Sequence, residues 1–417
     1  MNMPLLFTQF CDLLSALEYY STRDPPLLTA KLREKNSETI KSWFTAHPTS
    51  ISSTEVDTVA LLSALFPAKR TDRIYCIKSP SLTRSLRRWL GLGASRWPHL
   101  DQWQMPGRGD LSDCVERVLQ QAEFPIPHNK DRVTLDQVDD ALATVAARCR
   151  FSAPKVRARD MDKDEEVGKS LENIYRRLQS REAKWFTRLI LKDFSRLDLP
   201  EKFVYACIDP RLCVGMRMYH DFESAIAELK SLPASQIMDF TRGGFTLQCA
   251  NDANLLPPRI GVKIGPPRWI KAKGGVKHAV SVINGRTMSV ERKHDGEYCQ
   301  IHIDLSQGAN CIQIFSKSGK DSTEDRKGVH QAIKNGLRIG RPDCIFSQKC
   351  ILEGEILVYS DRTRGILDFH KIRKHVSRSG SFLGTALDSQ YAFLNSMRLM
   401  LIRPQTTPLG TPDDYVL

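Results

Sequence analysis

Lys293 is the side chain with the most chemistry to offer. It ends the run Met288-Ser289-Val290-Glu291-Arg292-Lys293, which reads as a strand whose period of two puts Ser289, Glu291 and Lys293 on one face. His294-Asp295-Gly296 then reads as a tight turn. Tyr298 to Asp304 follows as a second strand, alternating Cys299, Ile301 and Ile303 against Tyr298, Gln300 and His302. A lysine at a strand end before a hairpin can act as a covalent nucleophile when neighbouring cations favour its neutral form, and Arg292 and His294 flank this one. The alternative for so short a pattern as K-x-D-G is a surface lysine beside a turn.

A third strand, Cys311 to Phe315, leads into Ser316-Lys317-Ser318-Gly319-Lys320-Asp321, a polar turn with two lysines. A fourth, Cys350 to Tyr359, is largely apolar but places Glu353 and Glu355 on the same face. Acids sit inside such a strand when they are paired, hydrogen-bonded or bound to metal, so this face suggests a site for a cation or a ribose hydroxyl. Far upstream, Arg181, Lys184, Arg188 and Lys192 recur at helical spacing while Trp185, Phe186, Leu189, Ile190, Phe194 and Leu197 cover the rest of the segment. Like charges four apart repel, so the row suits a polyanion such as DNA; an ordinary amphipathic surface helix is the alternative.

These residues need a scaffold of two or three domains, the expectation for 417 residues. Charged residues make up 26% and hydrophobic ones 41%, which excludes a wholly disordered or collagen-like chain. The net charge of +13 favours a polyanionic partner. No apolar run is long enough to cross a membrane. The eleven cysteines include no C-x-x-C, which fits reduced thiols in a cytosolic or nuclear protein.

The first half reads as helices. Leu6, Phe10, Leu13, Leu14 and Leu17 form one buried stripe, and Ser52 with Glu55 forms a capping box opening a helix that Pro67 stops. Further helical patterns run near 30–46, 110–122, 134–150, 167–179, 181–197 and 221–231. Between 61 and 100 stand Lys69, Arg70, Arg73, Lys78, Arg84, Arg87, Arg88 and Arg96, either a solvated loop or a phosphate-contacting patch. Residues 151–166 read as an exposed connection, and the Gly and Pro pairs after 235 mark a domain boundary near 235–260.

Taken in order, Glu291-Arg292-Lys293-His294-Asp295-Gly296, Phe315-Ser316-Lys317-Ser318-Gly319 and Ile351-Leu352-Glu353-Gly354-Glu355 resemble motifs I, Ia and III of ATP-dependent DNA ligases. The segment from Ser180 to Asp193 resembles the helical DNA-binding domain of the eukaryotic enzymes, most like the ligase IV branch. The resemblance implies an α+β multidomain protein. An all-α DNA-binding domain would span 1–235, a linker 236–260, and a partial, mainly antiparallel-sheet nucleotidyltransferase (adenylation) domain 261–384.

It further implies that Lys293 forms lysyl-AMP with ATP and that Glu291 contacts the adenine. Asp295, Gly296, Lys317 and Glu355 would complete the nucleotide site, with Glu355 contacting the ribose or a divalent metal, Mg²⁺. Arg181, Lys184, Arg188 and Lys192 would contact double-stranded DNA at nicks or ends. Repair-complex proteins are the implied partners, DNA repair or recombination by non-homologous end joining the process, and the nucleus the location. Tyr298 stands where the family has arginine and Glu353 where it has aspartate.

After Leu367 to Lys374 the family's later motifs and its OB domain are not found. We therefore expect a C-terminally truncated chain with a divergent tail over 385–417 that does not continue the strand pattern. A DNA-binding remnant with impaired catalysis is the alternative function. A capping enzyme or RNA ligase would share K-x-D-G but would not explain the Lys184-Trp185 helix.

Overall fold

Among the described residues of a computed structural model, twelve helices of eight or more residues precede the first strand. The structure describes residues 4–47, 55–121, 132–158, 167–231, 258–265, 275–283, 295–357, 359–360, 364–368 and 398–400. Two units separate by their internal contacts, residues 1–216 with 221–256 and residues 217–220 with 257–417.

The first eleven are α1 (Phe7–Thr22), α2 (Thr29–Ala46), α3 (Glu55–Leu65), α4 (Ser79–Trp89), α5 (Leu111–Gln120), α6 (Leu135–Ala147), α7 (Val167–Tyr175), α8 (Ser180–Leu191), α9 (Glu201–Ile208), α10 (Leu212–Tyr219) and α11 (Phe222–Ser231). In α1 the stripe Phe10, Leu13, Leu14 and Leu17 is buried, as its spacing predicts. Side-chain caps set several starts. Asp110 accepts from the Asp113 amide at 2.9 Å ahead of α5, and Glu182 accepts from the Gln179 amide at 2.8 Å ahead of α8. Ser52 lies outside the described residues.

Three expectations need correction here. The helix predicted over 181–197 ends at Leu191, because Lys192 turns left-handed at φ 53° and sends its ammonium to the carbonyls of Arg70 and Arg73, at 2.5 and 2.7 Å. Part of 61–100 is the helix α4 rather than a loop, with Leu82, Leu86 and Trp89 buried at helical spacing. In 151–166, Pro154–Arg157 forms a helical turn with Ser152 and Val156 buried, so that end of the segment is packed. The acidic run from Asp160 lies outside the described residues.

In the second unit, α12 (Gly275–Ile283) precedes β1 (Glu297–Asp304), β2 (Ile312–Ser316), α13 (His330–Gly336) and β3 (Lys349–Ile356). Then come β4 (Tyr359–Ser360) and β5 (Gly365–Ile366), which pair with each other, and β6 (Arg398–Met400). The main sheet is antiparallel in the order β2-β1-β3-β6. One face of it is apolar, as the alternation predicts. Cys299, Ile301, Ile303, Ile312, Ile314, Cys350 and Leu352 pack with Ile333 and Leu337 from the α13 side.

β6 corrects the expectation for the tail, since Ile351, Leu352 and Glu353 pair with Met400, Leu399 and Arg398. The apolar run from Met397 to Ile402 is compatible with such a strand. The strand expected over Met288–Lys293 and most of the linker over 236–260 lie outside the described residues. No helix among the described residues is long and apolar enough to cross a membrane.

Candidate functional site

The sheet register gathers three sequence motifs at one end. Cys299 of β1 lies opposite Ser316 of β2 and Gly354 of β3, so the start of β1 and the ends of β2 and β3 are neighbours. Asp295 and Gly296 lead into β1 there, Lys317 is exposed in the turn after β2, and Glu355 sits opposite Tyr298. Lys293 and Glu291, just before this turn, lie outside the described residues.

Gly296 is fastened to β3. Its amide donates to Glu355 Oε2 at 3.1 Å. A Cβ at this position would stand 2.7 Å from Leu357 Cδ2 and 2.8 Å from the Ile356 carbonyl oxygen, so the close approach requires glycine. Lys317 belongs to a turn closed by bonds from the Gly319 amide to the Ser316 carbonyl and from the Ser316 amide to the Lys320 carbonyl, both 2.9 Å.

Beside Glu355, on the same face, is a polar cluster. Tyr298 Oη and Gln300 Nε2 each donate to Glu353 Oε1 at 2.8 Å. The Gly261 amide donates to His302 Nδ1 at 3.1 Å, which assigns the imidazole proton to Nε2 and directs it to Gln300 Oε1, 2.9 Å away. The Ile264 amide donates to the same Gln300 oxygen at 2.8 Å. Burial pushes His302 down to about 3, helped by the nearby Lys263 charge, so the ring is neutral at ordinary pH. Burial also raises the Tyr298 phenol well above its usual range, reinforced by the charge of Glu353 and the bond to it.

Lys263 completes the cluster. It is 5% exposed, and its Nζ lies 5.6 Å from the Tyr298 ring centre. Burial lowers its pKa, while the charge of Glu353 pulls in the other direction. The alternation of β1 put Tyr298, Gln300 and His302 together in advance. A lone lysine in a proline-rich stretch gave no signal.

In the helical unit the cationic row of α8 faces protein, which corrects its reading as a line of phosphate contacts. Arg188 is 2% exposed and donates to Glu18 Oε1 at 2.7 Å and to Asp110 Oδ2 and Asp113 Oδ1, both at 3.1 Å. Lys184 pairs with Glu18 at 2.8 Å and Glu116 at 3.1 Å. Burial pulls Lys184 down, but its bond to Glu18 and the charge of Glu116 leave its pKa raised. Arg181, at the outer end, pairs with Asp12 at 2.5 Å. Lys192 is held by two carbonyls, and burial lowers its pKa to about 8, with Arg70 and Arg73 adding to the effect. Carboxylates from α1 and α5 thus offset the repulsion along α8.

The basic stretch of 61–100 divides in a similar way. Arg70 and Arg73 are buried against Asp72 and Asp139, Lys69 pairs with Glu201 at 3.0 Å, and Arg87 pairs with Asp101. Lys78, Arg84 and Arg88 are exposed, and none has an acidic partner among the described residues. Arg84 and Arg88 stand one turn apart on α4. Among the described residues no group of three or more His, Cys, Asp or Glu is arranged to hold a metal.

Two family profiles match the chain. One, described as DNA ligase N terminus, covers residues 6–209, and the other, described as ATP dependent DNA ligase domain, covers 270–395. DNA ligase 4 of Dictyostelium discoideum is 24% identical over 260 residues, 57% of this chain and 22% of that protein. DNA ligase 4 of Coprinopsis cinerea is 24% identical over 359 residues, 83% of this chain and 31% of that protein. A DNA ligase of Pyrobaculum calidifontis is 35% identical over 95 residues, 22% of this chain and 14% of that protein. The chain therefore spans less than a third of the length of each of these relatives.

Proposed function

The chain belongs to the ATP-dependent DNA ligase family, and from that premise we propose that it binds AMP covalently through Lys293 and uses it to join DNA strands. The observation that carries this reading is the convergence of the Asp295-Gly296 turn, Lys317 and Glu355 at one end of the sheet.

In the reaction, Lys293 Nζ attacks the α-phosphorus of ATP, pyrophosphate leaves, and a phosphoramidate to AMP forms. The AMP then passes to a 5′-phosphate at a break, and the neighbouring 3′-hydroxyl displaces it. Glu291, two residues before Lys293 in the sequence, recognises the adenine, and Lys317 engages a phosphate from its exposed turn. Catalysis of this kind rests on positioning and charge. Glu355 Oε1 has no protein partner among the described residues and fits Mg²⁺, which takes one or two carboxylates together with substrate oxygens. When bound, that ion would neutralise phosphate charge.

Duplex DNA would be gripped by the helical unit. The row on α8 is occupied internally, so Lys78, Arg84 and Arg88 are the better candidates for phosphate contacts, with Arg181 at the margin. Similarity to DNA ligase 4 proteins supports a place in nuclear repair by end joining, with ATP and Mg²⁺ as cofactors.

Incubation of the full chain with α-labelled ATP and Mg²⁺, followed by denaturing electrophoresis, tests the reading. Label should survive denaturation and be absent from Lys293→Ala. Absence of label from the wild-type chain would overturn it.

A further inference from the structure

Two thiols of the helical unit, away from the sheet motifs, stand face to face. Cys76 Sγ lies 3.2 Å from Cys149 Sγ, across 73 residues of sequence. Hydrogen bonds hold their segments alongside one another. The Ala153 amide donates to the Asp72 carbonyl at 2.9 Å, the Ile74 amide donates to Ser152 Oγ at 2.9 Å, and Ser152 Oγ donates to the Ile74 carbonyl at 3.2 Å. Lys192 ties the same stretch down through the carbonyls of Arg70 and Arg73. Cys149 follows the end of α6, in a turn where the Ser152 amide donates to the Cys149 carbonyl at 2.9 Å. Neighbouring backbone therefore fixes the meeting of the two sulfurs, and a disulfide needs them to close by only about 1.2 Å.

The two thiols differ in access. Cys76 is exposed and Cys149 is half-buried, so a small soluble disulfide reaches Cys76 first. We propose that Cys76 and Cys149 form a reversible redox site, in which a low-molecular-weight disulfide such as oxidised glutathione converts the two thiols into an intrachain disulfide that ties the approach to α4 to the end of α6. The Cys76 thiolate attacks one sulfur of oxidised glutathione, the bond between the two glutathione sulfurs breaks, and one glutathione leaves and takes up the proton that Cys76 gave up. Cys149, also as its thiolate, then attacks Cys76 Sγ and releases the second glutathione in the same way. Two cysteine thiols thus lose two electrons, and one molecule of oxidised glutathione is reduced to two of the thiol.

The tie falls two residues before Lys78, and the loop it closes contains all of α4, with Arg84 and Arg88. A link across so long a loop removes much freedom from the unfolded chain, so oxidation should also make the helical unit harder to unfold. The inference is independent of the nucleotide chemistry at the sheet end.

The test equilibrates the full native chain with oxidised and reduced glutathione, blocks the remaining thiols with N-ethylmaleimide and maps peptides by mass spectrometry without reduction. A peptide linking Cys76 to Cys149 should be the main product in the wild-type chain, and dithiothreitol should remove it. Cys149→Ser should instead accumulate glutathione on Cys76, because no second thiol is present to displace it, and Cys76→Ser should give neither product. Cys207→Ser, at another half-buried cysteine, should form the link as the wild-type chain does. Oxidation should raise the thermal midpoint of the helical signal by at least about 5 °C in the wild-type chain and leave it unchanged in Cys76→Ser. If Cys76→Ser does not fold, Cys149→Ser carries the comparison.

Glutathione remaining on Cys76 of the wild-type chain without the link, a link from Cys76 to some other cysteine, or a link formed only in denaturant would overturn the proposal. A linked chain whose midpoint does not rise would contradict the tie between the two segments.

Discussion

The amide of Gly296 and the carboxylate of Glu355 meet at 3.1 Å across 59 residues of sequence. The turn that follows Lys293 is thereby fixed to the strand that carries Glu353 and Glu355. On the proposed reading, the nucleophile and the acids that serve the same nucleotide have to be held in register, and this bond would supply part of that constraint.

Gly296→Ala should therefore disturb both fold and chemistry. The added methyl group would press on Leu357 and on the Ile356 backbone, a strain of about 1–3 kcal/mol. Hydrogen exchange at the amides of β1 and β3 should speed up, and lysyl-AMP formation should slow. Unchanged exchange would mean that the turn has room to spare.

Arg188→Met is expected to destabilise the helical unit by about 3–5 kcal/mol, because Glu18, Asp110 and Asp113 would keep their charges without the guanidinium buried among them. Chemical denaturation followed by helical circular dichroism measures this. A variant as stable as the wild-type chain would show that Lys184 and Arg196, which lies 2.8 Å from Asp113 Oδ2, suffice to neutralise the acids.

Replacing Lys78, Arg84 and Arg88 together by alanine should leave stability almost unchanged and lower the salt dependence of duplex DNA binding by about two to three units of slope. An unaltered slope would remove α4 from the DNA interface.

His302 gives the second unit an acid sensitivity. Its pKa is lowered to about 3 in the folded chain against 6.5 for the free side chain, so the unfolded state binds more protons between these values. The stability it contributes is present above pH 6.5 and is lost as pH falls towards 3, with a slope of up to about 1.4 kcal/mol per pH unit. His302→Met should flatten this part of the stability profile, although it breaks the bonds to Gly261 and Gln300. The same slope in that variant would place the acid sensitivity elsewhere.

Much of the framework was legible because it follows local periodicity. The stripe of α1 and the alternation of β1 are properties of neighbouring residues, and the structure preserves them. The α8 cations were misread for a complementary reason. Their partners Glu18 and Asp113 lie 170 and 75 residues from Arg188, and spacing along one helix carries no information about acids that only packing brings near. Lys263 was invisible on the same grounds, since its meaning comes from Tyr298 and Glu353 on two other segments. The ordered motifs fared better because each is contiguous, and antiparallel pairing alone then brings their ends together.

The central claim is that Lys293 carries AMP. The most direct measurement is peptide mapping by mass spectrometry after the chain has been incubated with ATP and Mg²⁺ and denatured at neutral to alkaline pH, where a phosphoramidate survives. A single AMP adduct on the peptide containing Lys293, released by acid and absent from Lys293→Ala, is the predicted result. An unmodified Lys293 peptide, or an adduct on another lysine, would contradict it.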